Sequence, residues 1–199
     1  MIERCFGTHS SLYADYHDHE WAVAVYNDQK LFEMLILEGA QAGLNWEIIL
    51  KRREAYQSAF YHFEVEKVAQ MKDEELENIY LNSQVVRHRK KIYSVRTNAQ
   101  VFLQIQKEHG SFSSYLWSFV QGVPHIRLPQ SLKEIPSKTK ESIALSKDLK
   151  KRGMVFVGPT IMYAYMQAVG LVNDHIQSCF KSNGTNLEEA PTQFQLQSK

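Results

Sequence analysis

Apolar residues along this chain recur at intervals of three and four far more often than at two, the spacing of helices with one buried side. The clearest case is 31–46, LFEMLILEGAQAGLNW, in which Leu31, Met34 and Leu35 hold the i, i+3 and i+4 places. Glu38 takes the i+7 place, so a carboxylate stands where the apolar stripe should continue. Asn27 or Asp28 is placed to cap this helix, and Gly39, Gly43 and Trp46 break it beside a large aromatic. Asn45 can cap a following helix that sets Trp46, Ile49, Leu50, Tyr56 and Phe60 on one side. Shorter helices are expected over 10–17, 65–71 and 73–81. A long helix opens at Arg87 with Ile92, Val95, Ala99, Phe102 and Leu103 inward, and Gly110 ends it. The stretch 111–120 reads as a short aromatic helix, and the proline-broken 124–136 as an irregular connection. Ser137 is the expected cap of a helix running to Lys151 and closed by Gly153. Another helix starts at Thr160 and is interrupted at Gly170; Asn173 or Asp174 then caps a last one holding His175 and Cys179. The pattern predicts an all-α fold of about eight helices.

Composition narrows this only a little. A net charge of +1 names no partner, so any basic surface must come from local clustering. Two cysteines in 199 residues argue against a disulfide scaffold and for a reducing compartment. No apolar run approaches the roughly 20 residues of a membrane span, and MIERCFG lacks the apolar core of a signal peptide. The expectation is a cytoplasmic monomer with no membrane partner, one domain over 1–180 and a polar, disordered tail over 181–199.

Four places carry candidate chemistry. Burying the Glu38 carboxylate costs several kcal/mol without compensation, so it is either a salt-bridged acid at a helix corner or part of a pocket wall. His175 and Cys179, spaced i and i+4, suit two ligands of one tetrahedral metal, with Cys5 and His17 as a second half. A two-Cys, two-His set prefers zinc and leaves no open position, so such a site is structural. The other reading is two buried thiols and two ordinary histidines. Finally, LKKRGMVFVGPT places a basic helix end, a tight apolar turn and a new helix start after Gly158 side by side. Exposed backbone N–H groups there suit a phosphate, with Lys150, Lys151 and Arg152 adding charge; an ordinary corner between helices fits equally. The run Arg87, His88, Arg89, Lys90, Lys91 is either a second phosphate face or a solvated one.

Taken together, the chain resembles the DNA-3-methyladenine glycosylase I family, a zinc-containing branch of the helix-hairpin-helix DNA glycosylases. The resemblance is carried by ERC at 3–5, LY at 12–13, YHDHEW at 16–21, LFEMLILEGAQAGLNW at 31–46 and VRHRKKI at 86–92. It continues through LWSFV at 116–120, ALSKDLKKRG at 144–153, FVGPT at 156–160 and GLVNDH at 170–175. It implies a two-lobed helical fold with one structural zinc on Cys5, His17, His175 and Cys179, joining the two ends of the chain. It implies a pocket for a flipped 3-methyladenine, with Glu38 recognising the base and Trp46, Tyr13, Tyr16 and Phe6 walling it. It also implies double-stranded DNA as partner, docked by the hairpin through Lys151, Arg152, Gly153, Gly158 and Thr160, with Gly43 and Leu44 entering the gap left in the helix.

The implied reaction is monofunctional hydrolysis that releases free 3-methyladenine and leaves an abasic site. A non-catalytic DNA-damage-binding protein of the same fold is the alternative. Two positions depart from the pattern. Phe6 stands where relatives often show tryptophan, and GLVNDH places Asn173, with Asp174 shifted by one, where many helix-hairpin-helix glycosylases hold an aspartate.

Overall fold

The computed structural model describes residues 3–182. In chain order these form α1 (Ser11–His19), α2 (Asp28–Gln41), α3 (Trp46–Leu50), α4 (Arg53–Ala59) and α5 (Val65–Ala69). They continue as α6 (Asp73–Asn82), α7 (Arg89–His109), α8 (Phe112–Ser118), α9 (Lys140–Lys151) and α10 (Pro159–Ala168). A parallel pair of two-residue strands, β1 (His125–Ile126) and β2 (Val172–Asn173), is the one sheet among the described residues.

Helix α2 holds the molecule together. The Asn27 side chain accepts from Lys30 N to start it, and every residue of 31–40 is buried. Asp28 uses its carboxylate to accept from the N–H groups of Phe112 and Ser113, both at 2.8 Å, which locks the start of α8 to the start of α2. On one side α2 packs against α7 and α8, and on the other against α10, where the Tyr165 hydroxyl donates to Leu31 O at 3.0 Å. Helix α2 thus sits between α7 and α8 on one side and α10, itself packed on α9, on the other. A helix buried on all sides ordinarily carries no acid, yet this one carries Glu33 and Glu38. Glu33 is paired with Arg53 and Lys30. Glu38 is not.

The structure departs from the sequence expectations in instructive places. The chain bends at Lys51 and Arg52, so the expected single helix after Asn45 becomes α3 and α4, which still bury Trp46, Ile49, Leu50, Tyr56 and Phe60. Thr139, rather than Ser137, caps α9, because Ser142 lies three residues on and the two hydroxyls satisfy each other's backbone N–H groups. The proline-broken connection contains β1, and its partner β2 keeps the chain extended just before His175. The Asn173 side chain accepts from His175 N at 3.0 Å, and a turn follows in which Cys179 N donates to Ile176 O; His175 and Cys179 thus lie on no helix. The helices expected over 65–71 and 73–81 are present as α5 and α6, and the described residues hold ten α-helices where the pattern predicts about eight. The expected tail lies outside the described residues, apart from Lys181 and Ser182.

Candidate active site and metal centre

Where α2 meets α1, α3 and α10, a pocket of about 300 Å³ opens between Phe6, Tyr13, Tyr16, Trp21, Glu38 and Trp46. Its rings touch one another around the rim. Phe6 lies 5.0 Å from Tyr13 and 4.9 Å from Trp21, and Tyr16 lies 5.4 Å from Trp46, centroid to centroid. The floor is Glu38, only 4% exposed. Its Oε2 has no hydrogen-bond partner among the described residues, and neither has the buried Trp46 Nε1. Burial alone pushes the Glu38 carboxyl up to about 8. Burial, then the nearby Glu38, raises Tyr13 and takes Tyr16 well above the ordinary phenol range, so both remain hydroxyl donors. Buried polar groups are almost always paired, so an unpaired acceptor and an unpaired donor in one aromatic pocket point to a ligand with complementary edges.

A larger open groove of about 630 Å³ between α4 and α6 lacks these features. Its Glu75 is satisfied by Lys72 N and the Tyr61 hydroxyl, and no buried orphan atom faces it among the described residues.

Behind the pocket, the structure brings Cys5, His17, His175 and Cys179 together, all buried, with ligand atoms within 4.8 Å of one another. His175 Nδ1 lies 3.4 Å from both sulfurs and His17 Nε2 lies 3.4 Å from Cys179 Sγ. A tetrahedral ion with Zn–S near 2.3 Å and Zn–N near 2.05 Å has N···S edges of roughly 3.5 Å, so the donor set fits. His17 Nδ1 is held at 2.8 Å by Asp18, itself clamped by Arg4, which turns Nε2 inward as metal-bound imidazoles require. Burial lowers the pKa of both histidines, His175 to about 4, and keeps them neutral. The same burial pushes the Cys5 thiol up to about 12, so a thiolate there calls for a cation beside it. The cluster also shares a wall with the pocket: Phe6 packs edge-on to His17 at 4.8 Å, and Trp21 edge-on to His175 at 4.5 Å.

Two surface turns carry the exposed Gly43 and Gly153. Between α2 and α3, Gly43 adopts φ 80 with open space where a Cβ would stand, and Leu44 is left exposed. Between α9 and α10, Gly153 takes φ 103 as the residue that ends α9, and Gly158 stands open ahead of Pro159, the first residue of α10. Lys151 and Thr160 are exposed at this hairpin. Arg152 is already engaged, bonded to Asp148 and Glu108 at 2.6 Å each and lying over the Tyr115 ring. The basic run ahead of α7 is likewise depleted. Arg89 pairs with Glu77, and Lys91 is buried, leaving Arg87 and Lys90 exposed.

Sequence reasoning missed several pocket residues. Trp21 lies in the quoted YHDHEW segment and Gln41 in the α2 segment, so both were adjacent to named residues. Ala164 and Gln167 lie one turn apart on α10 and close the opposite wall. Leu132 and Ile135 come from the irregular connection, where no periodicity could mark them.

Fold, pocket and cysteine–histidine cluster together define a helical protein with a buried acid in an aromatic pocket beside a candidate metal centre, and comparison with known proteins makes the class specific. Residues 6–182 match the family model described as methyladenine glycosylase. The chain belongs to that family. It is 46% identical over 179 residues to DNA-3-methyladenine glycosylase 1 of Escherichia coli (strain K12), covering 89% of this chain and 96% of that one. It is 44% identical over 180 residues to DNA-3-methyladenine glycosylase of Haemophilus influenzae, covering 90% and 97%. Among solved structures, 3-methyladenine DNA glycosylase I in complex with 3-methyladenine superposes with a TM-score of 0.89 at 39% identity, covering 94% of this chain and 100% of that one.

Proposed function

We propose that this chain is a DNA repair glycosylase that releases 3-methyladenine from alkylated DNA. The observation that carries the reading is the unpartnered, buried Glu38 carboxylate on the floor of an aromatic pocket. A 3-methyladenine in DNA is a cation with an amino edge. Its electrostatic complement is a carboxylate held in low dielectric, where the attraction is stronger than in water.

The base leaves the duplex at a cost of a few kcal/mol and enters between Trp46 and the tyrosines, where stacking favours a cation. Glu38 accepts from its amino group as the carboxylate. The glycosidic N–C1′ bond then breaks, its electron pair passes to the purine ring and neutralises it, and water supplies hydroxide to C1′ and releases a proton. An abasic site remains. The positive charge already on the base makes it a good leaving group, so uncharged purines, lacking both this lability and the attraction of Glu38, are poor substrates. Among the described residues, no lysine lines the pocket to form a covalent sugar adduct.

Double-stranded DNA is proposed to lie across the two turns. The hairpin, with Gly153, Gly158, Thr160, Lys151 and Arg152, meets phosphates, and Gly43 with Leu44 fills the gap left by the flipped base. Zinc is the proposed ion for Cys5, His17, His175 and Cys179; four protein ligands saturate a tetrahedral ion, which supplies structure rather than reactivity. It would fix α1, and with it Tyr13 and Tyr16, against the chain's C-terminal turn.

The test is a comparison of wild type with Glu38→Gln on methylated duplex, alongside binding of free base. The variant is expected to keep its fold and metal while single-turnover excision drops by about a hundredfold. Wild-type excision by Glu38→Gln contradicts the assignment.

A further inference from the structure

The two turns proposed to meet DNA are far apart in the chain, and one helix touches both. Lys91 and Asn98 lie seven residues apart on α7, so they share a face and stand about 10 Å apart along the axis. Lys91 Nζ donates to Ala40 O at 2.8 Å and to Ala42 O at 2.7 Å, the carbonyls freed where α2 ends. This pins the start of the turn that carries Gly43 and Leu44. Asn98 clamps the hairpin instead: its Nδ2 donates to Val155 O at 3.0 Å and its Oδ1 accepts from Val155 N at 2.9 Å.

The hairpin needs such a clamp. The next residue, Phe156, holds φ 58, a left-handed conformation that costs a bulky residue about 1–2 kcal/mol. Its Cβ stands 3.4 Å from where a Cβ on Gly39 would lie, so the hairpin rests directly on α2 beside Glu38. One turn further along α7, Val101 faces Gly153 at the hairpin's other end.

We infer that Lys91 and Asn98 are positioning residues that hold the Leu44 turn and the hairpin in fixed register on DNA, with Lys91 touching no phosphate itself. The inference rests on the DNA-facing role proposed for those two turns. It reverses the reading suggested by the basic run in the sequence, in which Lys91 belongs to a phosphate face. Two of the three Nζ–H donors are taken by Ala40 O and Ala42 O and the side chain is buried, so removing it frees the turn rather than removing a surface counterion.

The test uses the metal-loaded full chain and three readouts: affinity for a duplex with a stable abasic analogue, its dependence on salt, and quenching of tryptophan fluorescence by free 3-methyladenine. Lys91→Met and Asn98→Ala are each expected to weaken duplex binding about tenfold, with free-base affinity within twofold of wild type. The salt slope of Lys91→Met is expected to match wild type, because no phosphate contact is lost; Lys151→Gln, which loses one, should lower the slope by about one. Unchanged duplex affinity in both α7 variants overturns the inference, as does a lowered salt slope for Lys91→Met or a parallel loss of free-base binding. Should either variant fail to fold, Lys91→Arg and Asn98→Asp carry the same readouts, with partial retention of duplex affinity expected and wild-type affinity contradicting. If Leu44→Ala and Lys151→Gln also bind duplex like wild type, the DNA-facing reading itself fails.

Discussion

At the scale of single residues, Glu38 is the most informative group in the chain. Its carboxyl is pushed up to about 8 from the ordinary 4.5, because burial penalises the charged form and no group among the described residues compensates it. Between those two values the unfolded chain has lost this proton and the folded chain retains it, so stability falls as pH rises across that window and is level above it. Glu38→Gln removes the dependence. Urea denaturation at pH 5 and pH 9 should therefore find the variant close to wild type at the lower pH and more stable, by about a few kcal/mol, at the higher. Equal slopes with pH for the two proteins contradict a buried, unpaired acid. On the role proposed for Glu38, a cationic base binds the ionised form, so kcat/KM for excision should climb with pH towards 8 and then flatten, a profile that Glu38→Gln lacks. The sequence exposed this residue because the helical period put an acid on an apolar stripe. It could not say that Glu38 lacks a partner while Glu33, on the same helix, finds Arg53, since that depends on where α4 lands.

At the scale of elements, helices were legible wherever a strong period met a good cap, as with Asn27 before α2, Ser111 before α8 and Gly110 after α7. Legibility failed where tertiary contacts overrode local pattern. The i, i+4 spacing of His175 and Cys179 suggested a helix, but β2 and an Asn173 turn hold that segment and still bring both ligand atoms to one point. Charge was the other weak signal, because a run of basic residues does not reveal which of them are neutralised. At the α9–α10 hairpin, Lys151 is exposed while Arg152 is bound to Asp148 and Glu108. Lys151→Gln should accordingly cost more duplex affinity than Arg152→Gln, measured at one salt concentration across several duplex sequences and by a similar factor in each. A larger loss for Arg152→Gln contradicts this assignment of charge.

At the scale of the whole molecule, the cysteine–histidine cluster joins residues far apart in the chain, Cys5 and His17 to His175 and Cys179. Closing so long a loop constrains the unfolded chain, and the ligand set ties the N-terminal segment bearing Phe6 and Tyr16 to the segment that follows β2. Cys179→Ser is expected to abolish bound zinc by elemental analysis and to lower Tm by several degrees; unchanged zinc content refutes the ligand assignment. Asp18→Ala, which removes the partner of His17, should weaken metal affinity by about 10–100-fold with all four ligands intact. Loss of metal should loosen the pocket wall through Phe6 and Trp21, which pack on the two histidines, more than it disturbs α2.

The central claim is that this fold and pocket release a cationic methylated base from DNA, and the most direct measurement is chromatography of bases freed from methylated duplex by the purified protein. The account predicts free 3-methyladenine accumulating with time well above a no-enzyme control, with abasic sites in equal amount and normal purines retained. Retention of 3-methyladenine in the duplex at the control rate contradicts it.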